Sequence, residues 1–300
     1  MYHNILETIG NTPLVQIKLP TPARVYGKME YTNPGGSIKD RPALYMVTQA
    51  ELQGKIKPND TLVLPSSGNM GIALAMIGNL KNYRVVITLA EKTSVQKINI
   101  LKAYGAEVVL CPSTTDQNDP KGYVQTAVRL AKEKNAFLID QFNDTLNQEA
   151  HYHGLGPEIW RDTDGCITHF VAAAGTGGTV SGAGRYLKEK NPAIRVYAAD
   201  PENSFYSTNG NPKPYQVEAF GIDSITDVFD EKVVDQVIPL PDKDVIEMTR
   251  SLCHDYSHLV GFSAGAAALA VLKLDLSAED TVVFPLCDSG KPYLEKLFPA

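Results

Sequence analysis

The sequence is short of several things, and each shortage removes a class of function. Its four cysteines, Cys111, Cys166, Cys253 and Cys287, are far apart, with no CxxC pair and no accompanying histidine cluster. A disulfide frame and a zinc site are therefore not expected, and no metal is expected elsewhere; the cysteines read as reduced thiols of a cytoplasmic protein. No apolar run approaches the roughly eighteen residues that a membrane helix needs, so no membrane association is expected. The opening MYHNILETIGNTPLV has no charged leader ahead of an apolar run, and no secretory signal is expected. Basic residues are in deficit, 28 Lys and Arg against 34 Asp and Glu for a net charge of -6, which lacks the footprint of a nucleic-acid binder. Internal repeats and low-complexity segments are absent as well.

What remains is a soluble globular chain of 300 residues with 43% apolar content, enough for one large domain or two modest ones. From about residue 60, short apolar runs alternate with amphipathic stretches. Residues 61–65 (TLVLP), 84–90 (RVVITLA), 107–112 (EVVLCP) and 136–142 (AFLIDQF) read as strands, and 70–83, 94–105 and 122–135 as helices. The segment 167–201 repeats the order strand, helix, strand. Such alternation predicts an α/β fold with parallel sheets flanked by helices. Ligands of these sheets sit where strands end and loops turn into helices, so those loops are the places to look for chemistry.

Two loops stand out. AAGTGGTVSGAG follows a strand ending near Ala174 and opens a helix. Glycines let a backbone approach an anion, and free N–H groups at a helix start favour negative charge. Gly175, Thr176, Gly177, Gly178 and Thr179 thus form a candidate phosphate cradle. The GxGxxG spacing is not met here and GxxxxGK[ST] occurs nowhere, which favours a monophosphate over a dinucleotide. A tight turn with close helix–strand packing is the alternative. The second loop, PSSGNMG at 65–71, offers Ser66, Ser67 and Asn69 beside another helix start, suited to a carboxylate, or else a plain N-cap with a turn. A third feature is Lys39 in NPGGSIKDRPA, placed between a Gly-Gly-Ser turn and a predicted helix start. An amine, a phosphate cradle and a carboxylate cradle on one scaffold point together to pyridoxal 5'-phosphate and an amino-acid substrate.

The motifs ILETIGNTPLV, NPGGSIKDRPA, SSGNMGIALAMI, LIDQFN, HYHGLGPEIW, THFVAAAGTGGT, GFSAGAA and LCDSGKPYL run in order along the chain. Through them the sequence resembles the cysteine synthase (O-acetylserine sulfhydrylase) and cystathionine β-synthase family, the pyridoxal-phosphate β-family of fold type II, tryptophan synthase β-like. The resemblance implies that Lys39 holds the cofactor and shuttles the substrate α-proton. It implies that Asn69 contacts the ring hydroxyl, Gly175 to Thr179 the phosphate, and Ser263 the pyridine nitrogen. Ser66, Ser67 and Gln141 match its substrate-carboxylate contacts, and Gly68 and Met70 of the same loop are candidate substrate-binding residues. The implied reaction is a ping-pong β-replacement through α-aminoacrylate, foremost O-acetyl-L-serine plus sulfide giving L-cysteine and acetate. It also implies a smaller mobile domain over 35–145, a larger domain made of 1–34 plus 146–300, a homodimer, and a sulfide or thiol as second substrate.

Departures from the family pattern qualify this reading. Met70 stands where a threonine hydroxyl is usual, leaving its backbone N–H to serve. In 217–230, VEAFGIDSITDVFD, Asp223 falls where cystathionine β-synthases carry an aspartate, and DPENS at 200–204 also resembles theirs. Asp223 is therefore a candidate catalytic carboxylate, with a solvated loop residue as the alternative. It opens a second function, serine- or cysteine-directed β-replacement or elimination that forms cystathionine or lanthionine or releases sulfide. A catalytically silent cofactor-binding protein is the alternative of another class. Cys287 is a candidate pocket residue through its likeness to the B-type sulfhydrylase, with a packing thiol as the alternative. His151, His153 and His169 read as structural.

Overall fold

The computed structural model describes residues 1–66, 68–113 and 119–299. Its elements, in chain order, begin with strands β1 (Leu14–Gln16) and β2 (Arg24–Lys28) and helix α1 (Asp40–Leu52). There follow β3 (Thr61–Pro65), α2 (Asn69–Leu80), β4 (Arg84–Ala90), α3 (Val95–Ala103), β5 (Glu107–Cys111), α4 (Tyr123–Glu133) and β6 (Phe137–Leu138). The second half runs through α5 (Leu146–Ala150), a π-helical turn (His151–Leu155), α6 (Gly156–Asp162), β7 (His169–Ala173), α7 (Gly178–Lys190), β8 (Arg195–Pro201) and β9 (Gln236–Leu240). It closes with α8 (Asp242–His254), α9 (Phe262–Leu272), β10 (Thr281–Pro285) and α10 (Leu294–Leu297).

The strands form two sheets. A smaller one, in the order β5-β4-β3-β6, is wholly parallel. A larger one, β1-β2-β10-β7-β8-β9, is parallel except where β1 joins β2. The side-chain alternation of the central strands explains the layering. In the smaller sheet Leu62, Leu64, Ile87 and Leu89 face a core built with α1 and α2, while Val63 and Val86 face Ala127 and Ala131 of α4. Strands buried on both faces have no polar side to show, hence the unbroken apolar runs. In the larger sheet Val171, Val282 and Phe284 pack with α8 and α9, and Phe170, Ala172 and Val283 with α6 and α7. Helix α9, FSAGAAALAVL, can lie flat on that sheet because its small residues let the backbones approach.

The α/β fold with helix-flanked parallel sheets is as expected. One strand is shorter than expected. Pairing stops at Leu138, because the Asp140 carboxylate accepts from the N–H groups of Phe142 (3.0 Å) and Asn143 (3.1 Å) and folds 140–143 into a turn. Beyond Ile139, whose N–H still donates to the Val63 carbonyl (2.9 Å), residues 140–142 leave the sheet and carry Gln141 toward the carboxyl end of β3. The carboxyl ends of β3, β7 and β10 all lead into the loops described next.

Candidate active site

Lys39 is fixed by the chain on either side of it. The Ile38 N–H donates to the Cys287 carbonyl (2.8 Å), and Ser37 bridges Asp288, which stitches the loop before Lys39 to the end of β10. Two residues on, Arg41 is buried and held by Glu30 (Nε to Oε2, 2.7 Å) and Glu158 (Nη1 to Oε1, 2.7 Å). Glu158 is shared with Lys28 at 2.9 Å. Gly35 donates its N–H to Asp40 (2.6 Å) and is obligatory there, since a Cβ would collide with that carboxylate. Burial lowers the pKa of Lys39, while Cys287 and Asp288 act weakly the other way. A lysine so desolvated favours its neutral, nucleophilic amine.

The glycine loop joins β7 to α7. Gly177 has φ +91°, and a Cβ there would meet Phe229 at 2.7 Å. Gly178 begins the helix with no room for a side chain against the Asn147 amide oxygen. Both positions therefore demand glycine, and the amides of the first turn of α7 have no intrahelical acceptor. The Asn147 amide nitrogen donates to Thr176 Oγ1 (3.1 Å) and to the Gln141 carbonyl (2.8 Å), tying this loop to the end of the smaller sheet. Thr179 Oγ1 lies 3.2 Å from His151 Nε2. Burial, reinforced by the Lys39 and Arg41 charges, lowers the His151 pKa well below its ordinary value and keeps the ring neutral. The strap 217–230 covers the loop: Gly221 N–H donates to the Ala174 carbonyl (2.7 Å), and Thr226 Oγ1 to the Thr176 carbonyl (2.7 Å).

Between the two loops, Ser263 opens α9. Its Oγ is buried with no nitrogen or oxygen partner among the described residues, and only the Cys287 thiol, a weak hydrogen bonder, lies beside it. Burial pushes the Cys287 thiol up to about 12, with Asp288 adding to the shift, so it stays protonated at physiological pH. Asp288 accepts from Asn69 Nδ2 (2.7 Å) and the Tyr293 hydroxyl (2.7 Å). Burial raises its pKa nevertheless.

Of the carboxylate loop, Ser66 is buried, with Oγ 3.3 Å from the Gly68 amide, and Gly68 caps α2. Ser67 lies outside the described residues. Gln141 is buried and donates to the Pro65 carbonyl at 3.2 Å, which brings it beside this loop. The Met70 side chain is 2% exposed and packs in the core of the smaller sheet, leaving its backbone alone to meet a ligand. Asp223 is exposed on the strap rather than buried with the others; its carboxylate is felt by Tyr215 and Tyr123. Reading the motifs did not single out Asn147, Thr226 or Asp288. Asp288 was signalled by the LCDSGKPYL motif and Asn147 by its place between LIDQFN and HYHG, whereas nothing local marks Thr226. His151, read as structural, touches the β7–α7 glycine loop; His153 pairs with Glu149 (3.3 Å) and His169 with Asp280 (3.5 Å).

Residues 5–288 match the family model described as "Pyridoxal-phosphate dependent enzyme". The chain belongs to the pyridoxal-phosphate dependent enzymes. Pyridoxal phosphate is accordingly its cofactor, and the residues present suit it. This family member holds a desolvated lysine, a side-chain-free cradle at a helix start, and a buried hydroxyl left without a strong partner. Among curated relatives, it is 40% identical to the cystathionine beta-synthase of Saccharomyces cerevisiae, over 98% of this chain and 62% of that protein. It is 40% identical to a cysteine synthase of Staphylococcus aureus, over 97% and 95%. This pyridoxal-phosphate dependent enzyme thus spans less than two thirds of the yeast protein. Among solved structures, O-ureido-L-serine synthase superposes with a TM-score of 0.94 at 34% identity, covering 99% of this chain and 95% of that one. The O-acetylserine dependent cystathionine beta-synthase of Helicobacter pylori superposes at 0.91 and 34%, covering 99% and 98%.

Proposed function

We propose that this chain is a cysteine synthase, catalysing β-replacement on O-acetyl-L-serine by sulfide to give L-cysteine and acetate. The observation that carries the reading is Lys39, a desolvated lysine fixed against the end of β10 in a site that also holds two helix-start loops. Bound pyridoxal phosphate supplies the electron sink that lets an amino acid lose its α-proton and β-substituent. The protein's residues do the rest. Lys39 Nζ would hold the cofactor and would take the substrate α-proton, a task its lowered pKa suits. Gly175 to Thr179 hold the phosphate through first-turn amides and the Thr176 and Thr179 hydroxyls. Ser263 Oγ, buried and without a strong partner, would offer the ring nitrogen a neutral hydroxyl, which would favour elimination at Cβ over transamination. Asn69, whose amide donates to Asp288 in the structure, would contact the ring hydroxyl. Ser66, Ser67, the backbone of Gly68 and Met70, and Gln141 orient the substrate carboxylate. Cys287, kept as a neutral thiol, lines the pocket wall without ionising.

The smaller half, 35–145, carries the carboxylate loop and the larger half, 1–34 plus 146–300, the phosphate loop. Carboxylate binding draws the halves together and excludes water before sulfide enters. The relatives support this reading: one is a cysteine synthase, another an O-acetylserine dependent cystathionine beta-synthase. The assembly proposed is a cytoplasmic homodimer; among the described residues no helix is long and apolar enough to cross a membrane.

Asp223 favours a second reading, serine- or cysteine-directed β-replacement. Its exposed carboxylate on the strap beside Tyr215 could assist departure of a poor leaving group such as hydroxide. The test is product formation by the holoenzyme. Cysteine and acetate from O-acetylserine and sulfide, with serine and cysteine inert as first substrates, support the leading function. Turnover of serine with a thiol, and none of O-acetylserine, would replace it by the second.

A further inference from the structure

Lys97, on α3, is 7% exposed although its helix neighbour Val95 is 70% exposed. A lysine is buried so far only where something repays the lost hydration. Its Nζ lies 3.1 Å from Glu218 Oε2 and 4.7 Å from the centre of the Tyr293 ring. Lys296 pairs with the other oxygen of Glu218. The Tyr293 hydroxyl in turn donates to Asp288, which also accepts from Asn69. The chain of contacts therefore crosses the seam between the sheets twice, once at Lys97 and Glu218 and again at Asn69 and Asp288. Burial raises the Glu218 pKa, but the two lysines outweigh it and hold the carboxyl below its usual range, so the pair is charged.

Glu218 belongs to the strap, whose Gly221 and Thr226 are bonded to the phosphate loop. Lys97 belongs to the half that carries the carboxylate loop. Another pair across the same seam, Arg41–Glu158, is sealed, with side chains 5% and 9% exposed. Glu218 keeps 34% of its side chain exposed, so water can replace Lys97 there and the pair can break and re-form. Nothing in the proposed chemistry uses either residue.

We propose that Lys97 and Glu218 form the latch that positions the strap over the site and joins it to the half bearing the carboxylate loop. They are positioning residues: they touch neither substrate nor cofactor and act by holding the strap in its binding-competent place before the amino acid arrives. The inference rests on the closure described under the proposed function. A latch of this kind is worth a factor in amino-acid affinity equal to the coupling it provides, about tenfold for one partly buried pair.

The test uses the holoenzyme, with Lys97→Met, Glu218→Gln, the double variant, and Lys296→Ala as a control that leaves the latch in place. Two quantities are read: the midpoint of the cofactor absorbance change during O-acetylserine titration, and hydrogen–deuterium exchange of the amides of 217–223 with and without the amino acid. Each latch variant should raise the midpoint about tenfold and speed strap exchange even without the amino acid, because the pair is made in that state. The double variant should be no worse than the worse single one, and Lys296→Ala should stay near the wild type. Variants with wild-type exchange would overturn the latch whether or not the enzyme responds to O-acetylserine. So would losses that multiply in the double variant, or a lowered melting temperature with titration and exchange unchanged. A wild type that fails to respond to any amino acid, yet shows faster strap exchange in the variants, would instead sink the proposed function and leave the latch standing.

Discussion

The role proposed for Lys39 draws on its surroundings rather than on its own structure. Desolvation lowers the ammonium's stability, and Asp288 and Cys287 do not restore it. Lys39→Ala should therefore abolish borohydride fixation of the cofactor to the chain and cut kcat by about a thousandfold or more. Peptide mapping of the reduced holoenzyme checks the first part, and labelling at another lysine would contradict the assignment. The neighbouring Cys287 thiol, pushed up to about 12, should resist alkylation at pH 8 while exposed Cys166 reacts, as mass spectrometry of iodoacetamide-treated protein would show. Asp223→Asn should cripple any turnover of serine or cysteine and spare O-acetylserine. Equal loss on all three substrates would reduce Asp223 to a structural part of the strap. Lys39, Ser263 and Cys287 could be proposed from the sequence because each stands in a short motif. Their burial was not legible; the loop before Lys39, for example, is stitched to Cys287 and Asp288 at the far end of the chain.

Among the elements, the β7–α7 loop does most to define the site. Its glycines serve different needs: Gly177 supplies a positive φ beside Phe229, and Gly178 gives way to Asn147. Gly178→Ala should cost about 1–3 kcal/mol of stability by overpacking and weaken cofactor retention, measurable by dialysis followed by absorbance. Wild-type retention would mean that Asn147 can move aside and that the cradle is less rigid than its contacts imply. The strand–loop–helix order exposed both candidate cradle loops in the sequence, because periodicity changes from strand to helix around them. Their supports were not exposed. Asn147 and Thr226 reach Thr176 from positions 29 and 50 residues away, and no local pattern encodes such a meeting. The shortened β6 was missed for a related reason: its apolar run continues past Leu138, but the Asp140 side chain competes for the backbone.

Across the whole molecule, buried charge joins the N-terminal strands to α1 and α6. Burial alone would raise the Glu158 pKa, but Arg41 and Lys28 outweigh it and hold the carboxyl at about 2. A depressed carboxyl stabilises the fold above its unfolded value, near 4.3, and that contribution fades as pH falls through the folded value near 2. Glu158→Gln should therefore destabilise by about 3 kcal/mol or more at neutral pH, with the gap to wild type narrowing below pH 4 in urea titrations. A gap that stays constant down to pH 2 would show that the loss is one of packing. The two sheets each have their own core, and the proposed closure of one half on the other would link this scaffold to the chemistry proposed at Lys39. The measurement that tests the account most directly is the visible absorbance of the purified holoenzyme during separate titrations with O-acetylserine, serine and cysteine. The account predicts that the resting cofactor band gives way with O-acetylserine alone and returns when sulfide is added. A band that ignores O-acetylserine and responds to serine or cysteine would contradict it.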